Sequence, residues 1–185
     1  SLALSANTPS AQTYIKGSTE REMMRVNLTA DSGEDISVTA LTFDLQTAAN
    51  ANTASGDFTN VKLVKVSDGS QVGSTVASPT AEAAFSFSLT VPASETVALK
   101  VISDIPSTTG LLAAGGYFKI TNTDDVTSEG VSSAASITET GLAVTGNTMA
   151  VGEGSLVVSA APSPGDQNVI IGDVDVPILG LVMTA

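Results

Sequence analysis

Apolar and polar residues alternate one for one along most of this chain, and small clusters of Gly, Pro, Asn, Asp and Ser interrupt the alternation at short intervals. A period of two places successive side chains on opposite faces of an extended strand, which excludes helix over most of the sequence. Within 22–30, Met24, Val26 and Leu28 share one face while Arg25 and Asn27 take the other. Residues 84–91 alternate through Phe85, Phe87, Leu89 and Val91 until Pro92 stops them, and 95–103 do the same through Val97, Leu99 and Val101. In 35–45 the pattern changes parity near Ala40, between Ile36–Val38 and Leu41–Phe43–Leu45, which predicts a bulge. Asp68-Gly69, set between strands at 58–66 and 71–76, predicts a hairpin. Further strands are expected at 116–123, 135–144 and 147–151, and only 111–116 hints at a helix. Roughly nine to ten short strands follow. Burying each Val, Leu, Ile or Phe contributes about 1.5–3 kcal/mol. Neither sheet can cover its own apolar face, so two must stack as an all-β, antiparallel β-sandwich.

Composition narrows the function. Seven Lys and Arg stand against nineteen Asp and Glu, a net charge of −12. Phosphate neutralisation needs a basic stripe, so nucleic acid is excluded as a partner. The chain has no Cys and no His, which removes thiol chemistry, the commonest general base and zinc–thiolate sites. The longest apolar run, 174–185, contains Asp175, Pro177 and Gly180 and is too short to span a bilayer, so no membrane insertion is expected here. No catalytic motif is present, and the expectation is that the chain is not an enzyme. Paired carboxylates leave a hydrolase as a distant third class.

The opening of the chain recurs near its end. Ser1-Leu2 is matched by Ser155-Leu156, Ser5-Ala6 by Ser159-Ala160 and, after one deletion, Pro9-Ser10 by Pro162-Ser163. Two added residues then align Ile15 with Ile170, Gly17 with Gly172, Glu20 with Asp175 and Thr29-Ala30 with Thr184-Ala185. Met23, Met24, Val26 and Leu28 fall on Ile178, Leu179, Leu181 and Met183. An offset of 154 residues between Ser1 and Ser155 reads as a tandem repeat. Residues 1–154 then form one sandwich, and 155–185 are either the start of the next repeat or a donated strand that completes another subunit. In either case the apolar row Val176, Ile178, Leu179, Leu181 and Met183, with its counterparts Met24, Val26 and Leu28, is the expected interface. The partner is an identical copy or repeat, joined head to tail in a non-closing array.

Residues 28–43, 58–75 and 95–105 together resemble the immunoglobulin-like tandem repeats of large prokaryotic cell-surface and fibre proteins. The resemblance covers most of residues 1–151. It implies an Ig-like sandwich, an extracellular location and a load-bearing or spacing role, and it carries no catalytic residues. The disulfide and tryptophan of antibody domains are absent, so the comparison extends to architecture alone. The competing class is an adhesin or carbohydrate-binding module that uses the loops at one end. Acidic clusters are the remaining site candidates: Asp31, Glu34 and Asp35 share one turn, and Asp173 and Asp175 stand near the repeat junction, where carboxylate oxygens suit calcium. Solvated turn carboxylates are the alternative, with no cofactor at all.

Overall fold

The computed structural model describes residues 1–111 and 114–184. The helix hint at 111–116 falls partly on residues 112 and 113, outside the described residues. Two compact units result, Ser1–Gly152 and a second beginning at Glu153.

Twelve strands make up the first unit: β1 (Leu2–Leu4), β2 (Thr13–Ile15), β3 (Arg21–Thr29), β4 (Ile36–Thr47), β5 (Thr59–Lys65), β6 (Gln71–Val76), β7 (Glu82–Val91), β8 (Thr96–Asp104), β9 (Gly116–Ile120), β10 (Val126–Gly130), β11 (Val144–Thr145) and β12 (Ala150–Gly152). One sheet has the order β1-β3-β8-β5-β6, all antiparallel. The other is built on the twelve-residue β4. β7 lies on one edge of β4, and β10 and β9 share the other, pairing with residues 36–41 and 44–47; β11 extends β9. A parallel pair, β2–β12, stands apart from both.

The inward faces close on one core. Val26, Leu28, Leu63, Leu99 and Val101 from the first sheet meet Leu41, Phe43, Leu45, Phe85, Phe118 and Ile120 from the second. Aromatic residues are few but central. Phe58, just ahead of β5, packs edge-on against Phe118 of β9 with ring centres 5.0 Å apart, which ties sheet to sheet. Phe43 and Phe85 form a second edge-on pair at 6.1 Å.

Local expectations fare unevenly, for physical reasons. The bulge is present: the β4–β7 ladder steps from Val38 to Ala40, and β10 shifts register at the same level. The Asp68-Gly69 hairpin is also present, with the Asp68 carboxylate accepting hydrogen bonds from the Ser70 amide and hydroxyl. In β5 the alternation slips, so that Leu63 and Val64 are both buried. Lys65 is thereby turned toward Asp68 on the surface, 3.9 Å away. The strand expected at 135–144 does not form, apart from Val144. Residues 135–140 cross from β10 to β1 instead, with Ile137 N–H donating to Ser128 and Leu2 N–H donating to Thr140. β10 leaves no alternating pattern in the sequence, because its inward positions are Val126, Ser128 and Gly130, which hardly register as apolar.

The two ends of the first unit are fixed by hydrogen bonds to opposite ends of β3. The Ser1 ammonium donates to the Thr29 carbonyl at 2.7 Å, and Thr29 N–H donates back to Ser1. At the opposite end of β3, Tyr14 donates to the Glu22 carbonyl, and Lys16 N–H donates to the Gly152 carbonyl at 3.0 Å. Residues 1 and 152 therefore lie toward opposite ends of β3, a nine-residue strand about 27 Å long at the usual rise per residue.

Replacing Phe118 by Ala should remove the cross-sheet aromatic contact and leave a cavity. Urea unfolding should register a loss of about 3–5 kcal/mol with an unchanged m-value.

Candidate functional site

The second unit is a pair of four-residue strands, β13 (Val157–Ala160) and β14 (Leu181–Thr184), antiparallel and exposed on both faces. Its pairing reproduces the first pairing of the chain. In the first unit Leu2 stands opposite Leu28, Ala3 opposite Asn27 and Leu4 opposite Val26. In the second, Val158 stands opposite Met183, Ser159 opposite Val182 and Ala160 opposite Leu181. Just outside the ladder, Ser5 N–H donates to the Arg25 carbonyl, and Ala161 N–H donates to the Gly180 carbonyl.

The connection between the strands repeats as well. Ser18 N–H donates to the Ile15 carbonyl at 3.1 Å, closing a turn in which Gly17 has φ +79°. Asp173 N–H donates to the Ile170 carbonyl at 3.1 Å, and Gly172 has φ +101°. A positive φ at that position of a turn favours glycine. Three residues further on, Glu20 and Asp175 both take the left-handed conformation that non-glycine residues rarely adopt, at φ 53° and 57°.

These matches correct the alignment of the first ten residues. The counterpart of Leu2 is Val158 rather than Leu156, two residues further along, and that of Pro9 becomes Pro164. Because the displacement is even, the same residues stay on the same face. From Ile15 to Thr29 the correspondence stands unchanged.

The candidate interface residues divide sharply. Val26 and Leu28 are 1% and 4% exposed, and Met24 is fully buried, all three within the core of their own sandwich. They hold that unit together and present no surface to a second copy, which corrects the expectation that they form an interface. Leu181 and Met183, at the corresponding positions, are 57% and 68% exposed, and Ile178 and Leu179 are also open; Val176 is half-buried. Residues 176–180 form no strand, although their counterparts 21–25 do. In the first unit that half of β3 lies beyond the β1 ladder; β8 pairs with it, as in Met24–Val101 and Arg25–Lys100, and Ser5, Thr8 and Tyr14 add bonds to Arg25 and Glu22.

The acidic candidates do not converge. Asp31 accepts from Gly33 N–H, and Asp35 accepts from Ala93 N–H at 2.8 Å. Glu34 accepts from the amides of Ser132 and Ser133 and from the Ser133 hydroxyl, and these bonds, the hydroxyl foremost, hold its carboxyl below the usual range. Asp173 accepts from Ile170 N–H at 3.3 Å. Each of these four is occupied in fastening a turn or loop. Among the described residues no group of three or more His, Cys, Asp or Glu side chains is placed to hold a metal ion. Glu20, the counterpart of Asp175, accepts from Lys62 at 2.8 Å, a bond that pushes the Lys62 ammonium up.

One cleft of about 270 Å³ opens at the Ser1 end of the sandwich, between the sheets. Leu28, Val38, Val91 and Val126 line it, with Glu34 and Glu139 among its polar groups. Glu139 is held by a hydrogen bond from Ser128.

No family model matches the chain, and neither a curated protein nor a solved structure gives a significant match. Among the described residues no helix is long and apolar enough to cross a membrane.

Two outcomes follow. Limited proteolysis should cut within 161–180 first and leave a resistant core ending near Gly152, because that stretch is exposed and has few backbone partners. Glu34→Gln should lower stability near neutral pH. Since the folded value of Glu34 lies below its unfolded one, the difference from the parent should shrink as pH falls from about 4.3 through that lower folded value. Urea midpoints across a pH series check this.

Proposed function

We propose that this chain is a structural segment of an extracellular filament or surface stalk, made of Ig-like β-sandwich beads that follow one another head to tail. The observation that carries this reading is the placement of residues 1 and 152 at opposite ends of β3, with the opening of the fold starting again at Val157. A bead entered at one end and left at the other adds its length to an array. Repetition of the same step gives a head-to-tail contact that does not close.

Mechanical logic supports the same role. Tension between residues 1 and 152 runs along the strands. The hydrogen bonds joining β1 to β3 lie across that direction, so they are loaded together in shear. The resemblance of 28–43, 58–75 and 95–105 to the repeats of prokaryotic surface and fibre proteins adds the extracellular location. Among the described residues of the first unit, the side chains singled out are occupied in packing and turn fastening, which suits a spacer that performs no chemistry.

The cleft at the Ser1 end favours a second reading, an adhesin or carbohydrate-binding module that takes a small ligand between the sheet ends. Electron microscopy of the native material separates the two. Beaded filaments with an axial repeat on the order of 30–45 Å, set by the length of β3 and its end loops, are expected. Dispersed particles that bind a glycan array would overturn the filament reading in favour of the module.

A further inference from the structure

We propose that the free edge of β14 is the docking site for a strand of β8 type, carried by a further copy of residues 31–152 that follows the tail in the same polypeptide. This rests on the tandem-bead reading and specifies what covers the exposed face. In the first unit β3 has two neighbours, β1 on one edge and β8 on the other. In the second, β14 has the counterpart of β1 and nothing on its other edge among the described residues.

The first unit supplies the register. Val26 stands opposite Leu99, Leu28 opposite Val97 and Met24 opposite Val101. Leu181, Met183 and Leu179 would therefore meet the Leu99, Val97 and Val101 of the incoming strand. Charge complementarity agrees. From Glu153 onward the sequence holds Glu153, Asp166, Asp173 and Asp175 and no Lys or Arg. The strands to be added carry the cations: Lys100 on β8 and Lys62 on its neighbour β5, the latter already paired with Glu20, the counterpart of Asp175.

Strand counting identifies the source. The described residues contain two strands of β3 type and one of β8 type, and that one is already paired with β3. Copies of the same 185 residues exchanging strands would always leave one β3-type strand per chain without a partner. A further copy of residues 31–152, which carries one strand of β8 type, removes the imbalance.

The test is a polypeptide in which residues 31–152 are appended after Ala185, compared with the 185-residue chain by hydrogen exchange and small-angle X-ray scattering. Amides of 178–184 should exchange roughly 100-fold or more slowly in the extended protein, approaching those of 23–29. Met183→Asp in the extended protein should abolish that protection while leaving 1–152 protected. Unchanged exchange at 178–184 would overturn the proposal. A two-bead length with an unprotected tail would overturn the pairing and leave the beaded reading standing. A protected tail in a molecule no longer than one bead would support the pairing and remove the beaded reading.

Discussion

The fold depends on the pairing of β3 along both its edges. β1 covers its last residues, β8 runs along its whole length, and Met24, Val26 and Leu28 drive into the core between the sheets. Main-chain bonds on two sides and apolar burial on one face act on the same nine residues. Taking away β8 would expose the inward side chains and leave the first half of the strand without a neighbouring strand in its ladder. The second unit has that arrangement: 181–184 are paired as 26–29 are, while 176–180 lose strand geometry and the apolar row faces solvent. A row of exposed Ile, Leu and Met beside an open strand edge is what natural sheets avoid.

Much of the architecture was legible in the sequence because period-two alternation is a direct record of a one-sided sheet. The strands with large inward residues, β3, β4, β7 and β8, follow from Met24, Phe43, Phe85 and Leu99 and their neighbours. Elements whose inward residues are small were not legible. β10 buries Ser128 and Gly130, and β2 is three residues long with Tyr14 alone turned inward. The segment 135–144 carries a strand-like pattern, yet its Ile137 N–H and its Ala135 carbonyl bond to β10 and its Thr140 carbonyl accepts from β1, a tertiary outcome that no local pattern records.

The two strand pairs share a pairing register and a turn that the letters of the sequence alone place imperfectly. Gly17 and Gly172 were matched by identity, and their shared turn shows why both are glycine. Glu20 and Asp175 were matched as acids, whereas what they share is an unusual backbone conformation, which composition does not reveal. Ser1-Leu2 and Ser155-Leu156 agree as letters but not as positions, since hydrogen-bond pairing selects Val158 for the place of Leu2. Identity among small, strand-forming residues is a weak guide to register. The grouping of Asp31, Glu34 and Asp35 misled for a related reason: proximity in sequence set three carboxylates in one turn, and each was then directed to a different amide.

The central claim is that residues 157–184 begin the fold of residues 1–29 a second time. Nuclear magnetic resonance of the 185-residue chain tests it most directly. The account predicts cross-strand contacts between Val158 and Met183 like those between Leu2 and Leu28, with left-handed backbone shifts at Gly172 and Asp175 as at Gly17 and Glu20. Random-coil shifts from Val157 to Thr184, with no contact between Val158 and Met183, would contradict it.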